Sequence, residues 1–402
     1  MKKITFLLFI TILWGCSSRN KNQIPKKYRK LKNLTVFSSN SKPTNTISLQ
    51  KVAAYGSSKK VIIGRMGGIA VDNSGHVYIP DKQQKTIDVF KPDGQFLTHI
   101  GHKGNGPGEF NYLMNVQTTQ NELIADDAPQ QRAVVFSLPS FKYKYTIPIA
   151  NNRNKFKALK GTYPNAYYAK SKNSFLVTFG KNAHSENHAW DRFTGRNLYY
   201  SMNKKGRITS QKLLEMKSQE EVLVPYSGSV TNRRGVTRKI PVMGYHPGFY
   251  GKSLKALSNN DHFYWAWSTD FLIKVYNSDG TYQRAIYYPY KNIPLTQKSA
   301  NIAKTPKFVM KGWKKMKLPK TWPALHSMKI DSQNRIWVST IVKNFKDYRW
   351  WVLNNRGKLL AHFNWPRDRQ IEVIKNGDIY AKEKNKKGLT RIVKYKYELK
   401  SL

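Results

Sequence analysis

The feature that most constrains this chain is a hairpin that recurs. In "IDVFKPDGQFLTHI" (Ile87–Ile100), "IKVYNSDGTYQRAI" (Ile273–Ile286) and "WVLNNRGKLLAHF" (Trp351–Phe363), a strand runs into a turn ending in Gly and out into a second strand. Gly94, Gly280 and Gly357 hold the same slot, and Gly206 in "YYSMNKKGRI" fits it too. That slot needs a residue with positive φ. A second hairpin recurs as "IAVDNSGHVYIPD" (Ile69–Asp81) and "MKIDSQNRIWVST" (Met328–Thr340), again alternating strand, short turn, strand. Joined, the two hairpins give a unit of four strands, a-b-c-d. Six such units fall near 67–101, 112–149, 163–214, 255–290, 325–365 and 369–399. The second aligns with the first without a gap, so that Asp127 falls on Asp81 and Phe136 on Phe90.

Repeating four-stranded units of this length predict an all-β fold, a six-bladed β-propeller with antiparallel blades, which protects its sheet edges by radial repetition. The sixth unit shows only three clear strands. The segment "NTISLQKVAAYG" (Asn45–Gly56) would supply its outer strand and close the ring. That closure argues against a pair of β-sandwiches. "HKGNGPGEF" (His102–Phe110) has the look of a phosphate loop. It lacks the Gly-Lys-Ser/Thr ending, carries Glu109 where a last glycine belongs, and loses an N–H at Pro107. It reads as the crossing from strand d of one blade to strand a of the next.

"GIAVDNSGHVYIPD…IDVFKPDGQFLTHIGHKGNGPGEF" resembles the six-bladed β-propeller lipoproteins of Bacteroidota, relatives of the NHL-repeat propellers, and Leu318–Val338 is similar to a later part of that family. The resemblance covers most of the chain from about Ile47. It implies the fold and an envelope location but no reaction, since such propellers include binding scaffolds as well as lyases and lactonases.

The N-terminus points the same way. Lys2 and Lys3 precede the apolar run "ITFLLFITILW" and then "GCSS". This is a signal-peptide pattern in which "LWGC" is similar to a bacterial lipobox, making Cys16 the expected lipidation site. Cys16 is also the only cysteine, which excludes an intrachain disulfide. The expected organisation is a signal peptide at 1–15, a flexible tether at 16–44 and the propeller at 45–402. The protein is expected on the outer membrane, facing the periplasm or the cell surface.

Charge adds a second constraint. Lys and Arg number 70 against 23 Asp and Glu, a net +47. Such an imbalance attracts polyanions. An envelope location makes nucleic acid an unexpected partner and leaves anionic polysaccharide or glycolipid. In a propeller the a-b and c-d turns share one face, and the b-c loops and d-to-a links share the other. Every a-b and c-d turn here is tight. The long segments are the links 150–164, 215–254 and 291–324 and the b-c loop Lys181–Gly195. Residues 150–164, 222–254 and 291–324 contain no Asp or Glu, so the link face is expected to be strongly basic and to carry binding. "SANIAKTPKFVMKGWKKMKL" is either a basic amphipathic segment or a loop helix packing Phe308, Met310 and Trp313 on the ring, with Pro306 interrupting any single long helix.

Candidate ligand-binding residues follow from this face. They are Asp81 and Asp127 at matching strand ends, with Arg132 as partner of Asp127; His184, His188 and Trp190 in the b-c loop; Arg233, Arg234, His246 and Tyr250 in the second link; and His326. Because Asp81 and Asp127 repeat with the blade, capping of a turn is the favoured role. Tyr226, Tyr245 and Phe249 join Tyr250 as aromatics that would stack on sugars from this face. "HSENH" has i,i+4 histidines but lacks the rest of a zinc pattern. No catalytic triad, paired carboxylates, cofactor motif or metal motif is readable. The expected function is a binding module for an anionic glycan, glycolipid or envelope partner. The alternatives are a lyase, lactonase or glycan-cleaving enzyme at the channel mouth, or an interaction scaffold.

Overall fold

The middle strands of each repeat are apolar on both sides, as in "VYIPD" and "IWVST", so a sheet must be covered on both faces. In the computed structural model, which describes residues 24–56, 61–127, 130–171, 173–181, 188–231 and 237–402, neighbouring blades provide that cover. Six sheets surround a central channel. Blade 1 has strands a–d at Ala70–Val71, Val77–Asp81, Thr86–Phe90 and Phe96–Ile100. Blade 2 has Leu113–Thr118, Glu122–Asp127, Arg132–Ser137 and Tyr143–Pro148, and blade 3 has Tyr163–Ala169, Ser174–Lys181, Arg192–Asn203 and Leu214–Thr231. Blade 4 has Ser253–Leu257, Phe263–Trp267, Leu272–Tyr276 and Tyr282–Tyr287, and blade 5 has Leu325–Ile330, Ile336–Ile341, Asp347–Leu353 and Leu359–Pro366. Blade 6 takes a–c from Gln370–Lys375, Asp378–Lys384 and Thr390–Ser401, and its outer strand from Asn45–Tyr55. That strand pairs antiparallel from Asn45 opposite Ser401 to Tyr55 opposite Ile392, closing the ring as the repeats predict.

The core is a ring of interfaces. Separate apolar clusters fill the seams between blades 1 and 2, 2 and 3, 3 and 4, 4 and 5, 5 and 6, and 6 and 1. The recurring glycine is what lets blades close up. Gly206 sits at φ +72°, and a Cβ there would lie 1.8 Å from the carbonyl oxygen of Pro148 in the preceding blade. Gly94 and Gly280 meet the carbonyls of Ala54 and Leu213 in the same way, and Gly357 meets the side chain of Ile286.

Polar links stitch the inner strands. Thr118 donates to the Val71 carbonyl (2.9 Å), Gln117 bridges Tyr167 and Ala169, Ser171 donates to Asp261 (2.6 Å), and Asn259 to the Ser332 carbonyl (2.9 Å). Lys329 reaches the Glu372 carbonyl and Lys375 the Val71 carbonyl, both at 2.8 Å. Every seam is therefore crossed by at least one side-chain hydrogen bond.

Two boundaries differ from expectation. The described part of the expected tether, residues 24–44, is docked on the ring. Leu34–Val36 adds a parallel fifth strand to blade 4, Lys27 bonds Asp270 (2.8 Å), and Phe37 stacks on Tyr288 at 4.8 Å. The reason is apolar cover: Tyr28, Leu31, Leu34 and Val36 bury the outer face of Leu272, Ala285 and Tyr287. The third blade does not end at 214. Its outer strand begins there and runs to Thr231, and a fifth strand, Thr237–Tyr245, folds back on it. The run "KSQEE" hides a strand whose Glu220 is buried because Arg192 and the Gly251 N–H bind it.

Candidate functional site

The two ends of the channel are built differently. On the link face, the 291–324 link folds into two short helices, Gln297–Ile302 and Lys307–Lys311, split at Pro306. Thr296 and Ser299 form a reciprocal capping box on the first. These segments join the far half of the blade 3 ribbon and the b-c loop of blade 5 in a shared apolar cluster. Its buried members include Val222, Val224, Phe249, Tyr250, Val309 and Trp322. Two of the long links, 215–254 and 291–324, thus form a cap with its own core.

Most of the expected ligand residues turn out to build this face. Asp81 is 2% exposed and accepts from the Gly64 (2.8 Å), Arg65, Gln83 (2.8 Å) and Gln84 N–H groups. Asp127, fully buried, accepts from the Tyr112 N–H (2.8 Å) and Arg132 Nε (3.0 Å). Arg132 then donates to the carbonyls of Asn105 and Glu109 at 2.8 and 3.0 Å. Both aspartates cap the end of strand b and tie down the link beside it, the role their repetition favours. Glu109 closes the "HKGNGPGEF" loop on itself by accepting from the Gly106 N–H (2.6 Å) and pairing with His102 (2.9 Å), and the first of these bonds holds its pKa below the usual carboxylate value.

The aromatic expectations are corrected. Tyr250 and Phe249 are each 1% exposed, because Tyr250 lies under the Arg192 guanidinium (4.5 Å) and donates to the Lys317 carbonyl (3.2 Å). The Trp190 ring packs against Gly312, where no Cβ would fit. Tyr245 meets Phe308 at 5.0 Å, while Tyr226 remains exposed. His188 lies at the surface, its N–H capped by Asp191. Cys16, His184, Arg233 and Arg234 lie outside the described residues.

His246 and His326 do come together, beneath the cap. His246 Nδ1 donates to the Glu220 carbonyl (2.7 Å), and His326 lies 4.0 Å from the Tyr348 ring, 12° off parallel. Two groups that sequence reasoning missed complete the cluster. The Arg367 guanidinium sits 4.4 Å from the same ring, with its Nη2 buried and unpartnered among the described residues. Lys252 is next to His326 across Ser268, which bonds the main chain of both Lys252 and Leu325. Burial, followed by the charges of Lys252, Arg367 and His246, pushes His326 well below the ordinary histidine range. Burial and Lys252 lower His246 too. In blade 2, burial and the Asp127 charge raise Asp126 to about 6 against a hydrogen bond from Asn115.

The outer surface of the cap is basic. Lys298, Lys304, Lys307, Lys311, Lys314, Lys315, Lys317 and Lys320 are all exposed, and none joins an ion pair among the described residues. Ile302 (48% exposed) and Phe308 (44%) stand among them.

The other end is open. A cavity of about 910 Å³ has its mouth ringed by the six a-b turns. Each of those turns carries an asparagine, a pattern legible in "VDNSG", "TQNEL", "KNSF", "SNNDH", "SQNRI" and "KNGDI" once the blades are aligned. Asn173, Asn334 and Asn376 adopt positive φ, which asparagine tolerates better than most residues. The wall holds Lys144, Lys170, Lys204 and Lys375 and three carboxylates. Glu122 pairs with Lys144 and Lys204 at 2.8 Å each; burial raises its pKa, but the bonds from those lysines and Tyr145 outweigh it and the net shift is downward. Asp261 is held by Ser171, and Asp331 by Arg335 Nε (2.7 Å) and Trp337 Nε1 (2.8 Å).

Six closed blades around a channel with one capped and one open end define a six-bladed β-propeller. Residues 39–226 match a family model described as 6-bladed beta-propeller, the fold that the six sheets form. No curated protein matches the sequence. Among solved structures, a member of the DUF4221 family from Bacteroides vulgatus is 11% identical, with 89% of this chain and 100% of that one covered at a TM-score of 0.52. An exported protein from Bacteroides fragilis is also 11% identical, covering 91% and 99% at 0.49. Virginiamycin B lyase from Staphylococcus aureus is 12% identical, covering 87% and 99% at 0.39.

Proposed function

We propose that this propeller is an envelope-anchored binding module whose basic link face engages an anionic surface, the lipid or glycolipid headgroups of the membrane that holds it. The observation that carries this reading is the set of eight exposed lysines from Lys298 to Lys320, without carboxylate partners among the described residues, interleaved with exposed Ile302 and Phe308. Lysines supply attraction to anionic headgroups, and the apolar side chains supply shallow insertion. The chain path supports it further. Lys27 is bonded to Asp270 in the b-c loop of blade 4, and Asn292, at the start of the basic link, donates to the neighbouring Thr269 carbonyl. The described chain therefore begins on the link face. Cys16 lies eight residues before Ile24, a reach of at most about 30 Å. Lipidation at Cys16 would hold this face against its own leaflet.

An enzymatic reading needs a base aligned on a nucleophile or a proton donor. His246 donates to a main-chain carbonyl and His326 lies against Tyr348, so the geometry favours binding.

Flotation of the full chain with phosphatidylethanolamine vesicles, with and without phosphatidylglycerol, tests the proposal. Binding is expected only with the anionic lipid and is expected to fall steeply with salt. Combined replacement of Lys311, Lys314 and Lys315 by Ala should weaken it about a hundredfold. Salt-insensitive binding, equal binding to both vesicles, or recovery of a stoichiometric protein partner in place of lipid would overturn it.

A further inference from the structure

The open cavity on the opposite face has no part in that reading. We propose that it is a second binding site, which takes the end of an acidic oligosaccharide chain.

Its dimensions suit several sugar units, since ligand sites commonly span about 300–1,000 Å³ and this one is about 910 Å³. Its chemistry is more selective than its size. None of the three wall carboxylates is left to repel an anion unopposed: Glu122 holds two lysines, Asp261 is bonded by the Ser171 hydroxyl and N–H, and Asp331 is bonded by Arg335 and Trp337. Lys170 and Lys375 differ from the Glu122 pair. Their ammonium groups donate to the carbonyls of Ser278 (3.1 Å) and Val71 (2.8 Å), which satisfy one donor each, and neither lysine joins an ion pair among the described residues. An ammonium has three donors, so each retains two for a ligand.

Around these charges lie groups suited to hydroxyls. The side chains of Asn73, Asn121 and Asn173 are exposed at the mouth and have no hydrogen-bond partner among the described residues. An amide both donates and accepts, which is what a sugar hydroxyl requires. Tyr168 adds an aromatic surface to the wall, the kind on which a pyranose ring packs. A small anion alone would leave most of the cavity and all three amides unused. A neutral sugar would bring no negative charge to the two ammonium groups and would forgo the stronger, charge-assisted hydrogen bonds, which selects against it. Carboxylated or sulfated sugars use every one of these features.

Isothermal titration of the full chain in detergent tests this with three probes: a tetragalacturonate, a heparin-derived tetrasaccharide and neutral maltotetraose. One site per chain is expected for at least one acidic probe, at least tenfold tighter than for maltotetraose. Lys170→Ala should weaken that binding about tenfold, the worth of a charge-assisted hydrogen bond. Asn173→Ala, at a surface turn, should weaken it severalfold. Melting curves matching the parent show that either loss is local, and Lys170→Arg should restore part of it. The proposal is overturned if neither acidic probe binds, if maltotetraose binds as well, or if Lys170→Ala leaves binding unchanged while the Lys311, Lys314 and Lys315 variant abolishes it. The two faces fail separately: a chain that binds the tetrasaccharide but no anionic vesicle overturns the link-face reading alone.

Discussion

The link face and the hairpin-turn face belong to one rigid ring, yet they resolve the same problem in opposite ways. Where the links are long, they carry Phe249, Tyr250, Val309 and Trp322, and these side chains bury one another over the channel. Where the turns are short, none reaches the axis, and the channel stays open beneath a ring of asparagines. Long loops on a scaffold thus need not leave an open site. With enough apolar side chains they become a second core, and the open site passes to the side that has too little chain to close it. Electrostatics follows the same division. Under the cap, burial holds His326 well below the ordinary histidine range, whereas at the open end Glu122 keeps its charge by pairing with two lysines.

The contrast can be broken most severely at Asp127. Asp127→Ala leaves Arg132 mostly buried without its carboxylate and frees the 101–112 loop, and should cost about 3–5 kcal/mol. Hydrogen exchange should rise in that loop while the a-b turns stay protected; uniform loosening of both faces would show that they are not independent. On the hairpin face, Gly206→Ala forces a methyl into the Pro148 carbonyl and should cost more than about 2 kcal/mol. Gly377→Ala, in the a-b turn of blade 6 at φ +83° with nothing within 4 Å, should cost only about 1 kcal/mol. Equal losses by urea unfolding would mean that backbone strain, and not blade contact, governs these turns.

The next effect is pH-dependent. Asp126 is raised to about 6, above its ordinary value, so the folded chain binds an extra proton between about pH 4 and 6. Stability on its account declines as pH rises through that window. Asp126→Asn should therefore stabilise by at most about 3 kcal/mol at pH 7.5 and by nothing at pH 4. A gain independent of pH would remove the titration as its cause. His326 acts with the opposite sign. Its lowered pKa costs stability as pH falls below the ordinary histidine range, so His326→Gln should flatten the acid limb of a pH–melting curve. The smallest effect sharpens the comparison from outside. Lys314→Ala should change stability by less than about 0.5 kcal/mol, because the side chain is solvated, while weakening vesicle binding about fivefold.

The ring was legible because it rests on local rules. Gly94, Gly206, Gly280 and Gly357 mark turns that demand positive φ, alternation marks strands, and the repeat of both gives the blade. The strand Leu214–Thr231 was not legible, since its Glu220 is satisfied by Arg192 and Gly251, partners no local pattern names. The docking of residues 24–44 was hidden for a related reason: Leu34 and Val36 are too few to read as a strand until the edge of blade 4 is there to receive them. Among the candidate site residues, Asp81, Asp127 and Arg132 were readable as a repeated cap. Tyr250 and Trp190 were misread because an aromatic in a long loop gives no sign of whether another loop will cover it. The asparagine at every a-b turn was visible throughout, but it acquires meaning only when six turns are brought to one mouth.

By itself the sequence determined the number of blades, the strand that closes them and the excess of positive charge, because each follows from spacing and composition along the chain. Only the tertiary structure decided which end of the channel is open and which lysines remain unpaired. Those depend on where six distant turns and two long links meet, and a chain read one residue at a time does not contain that information.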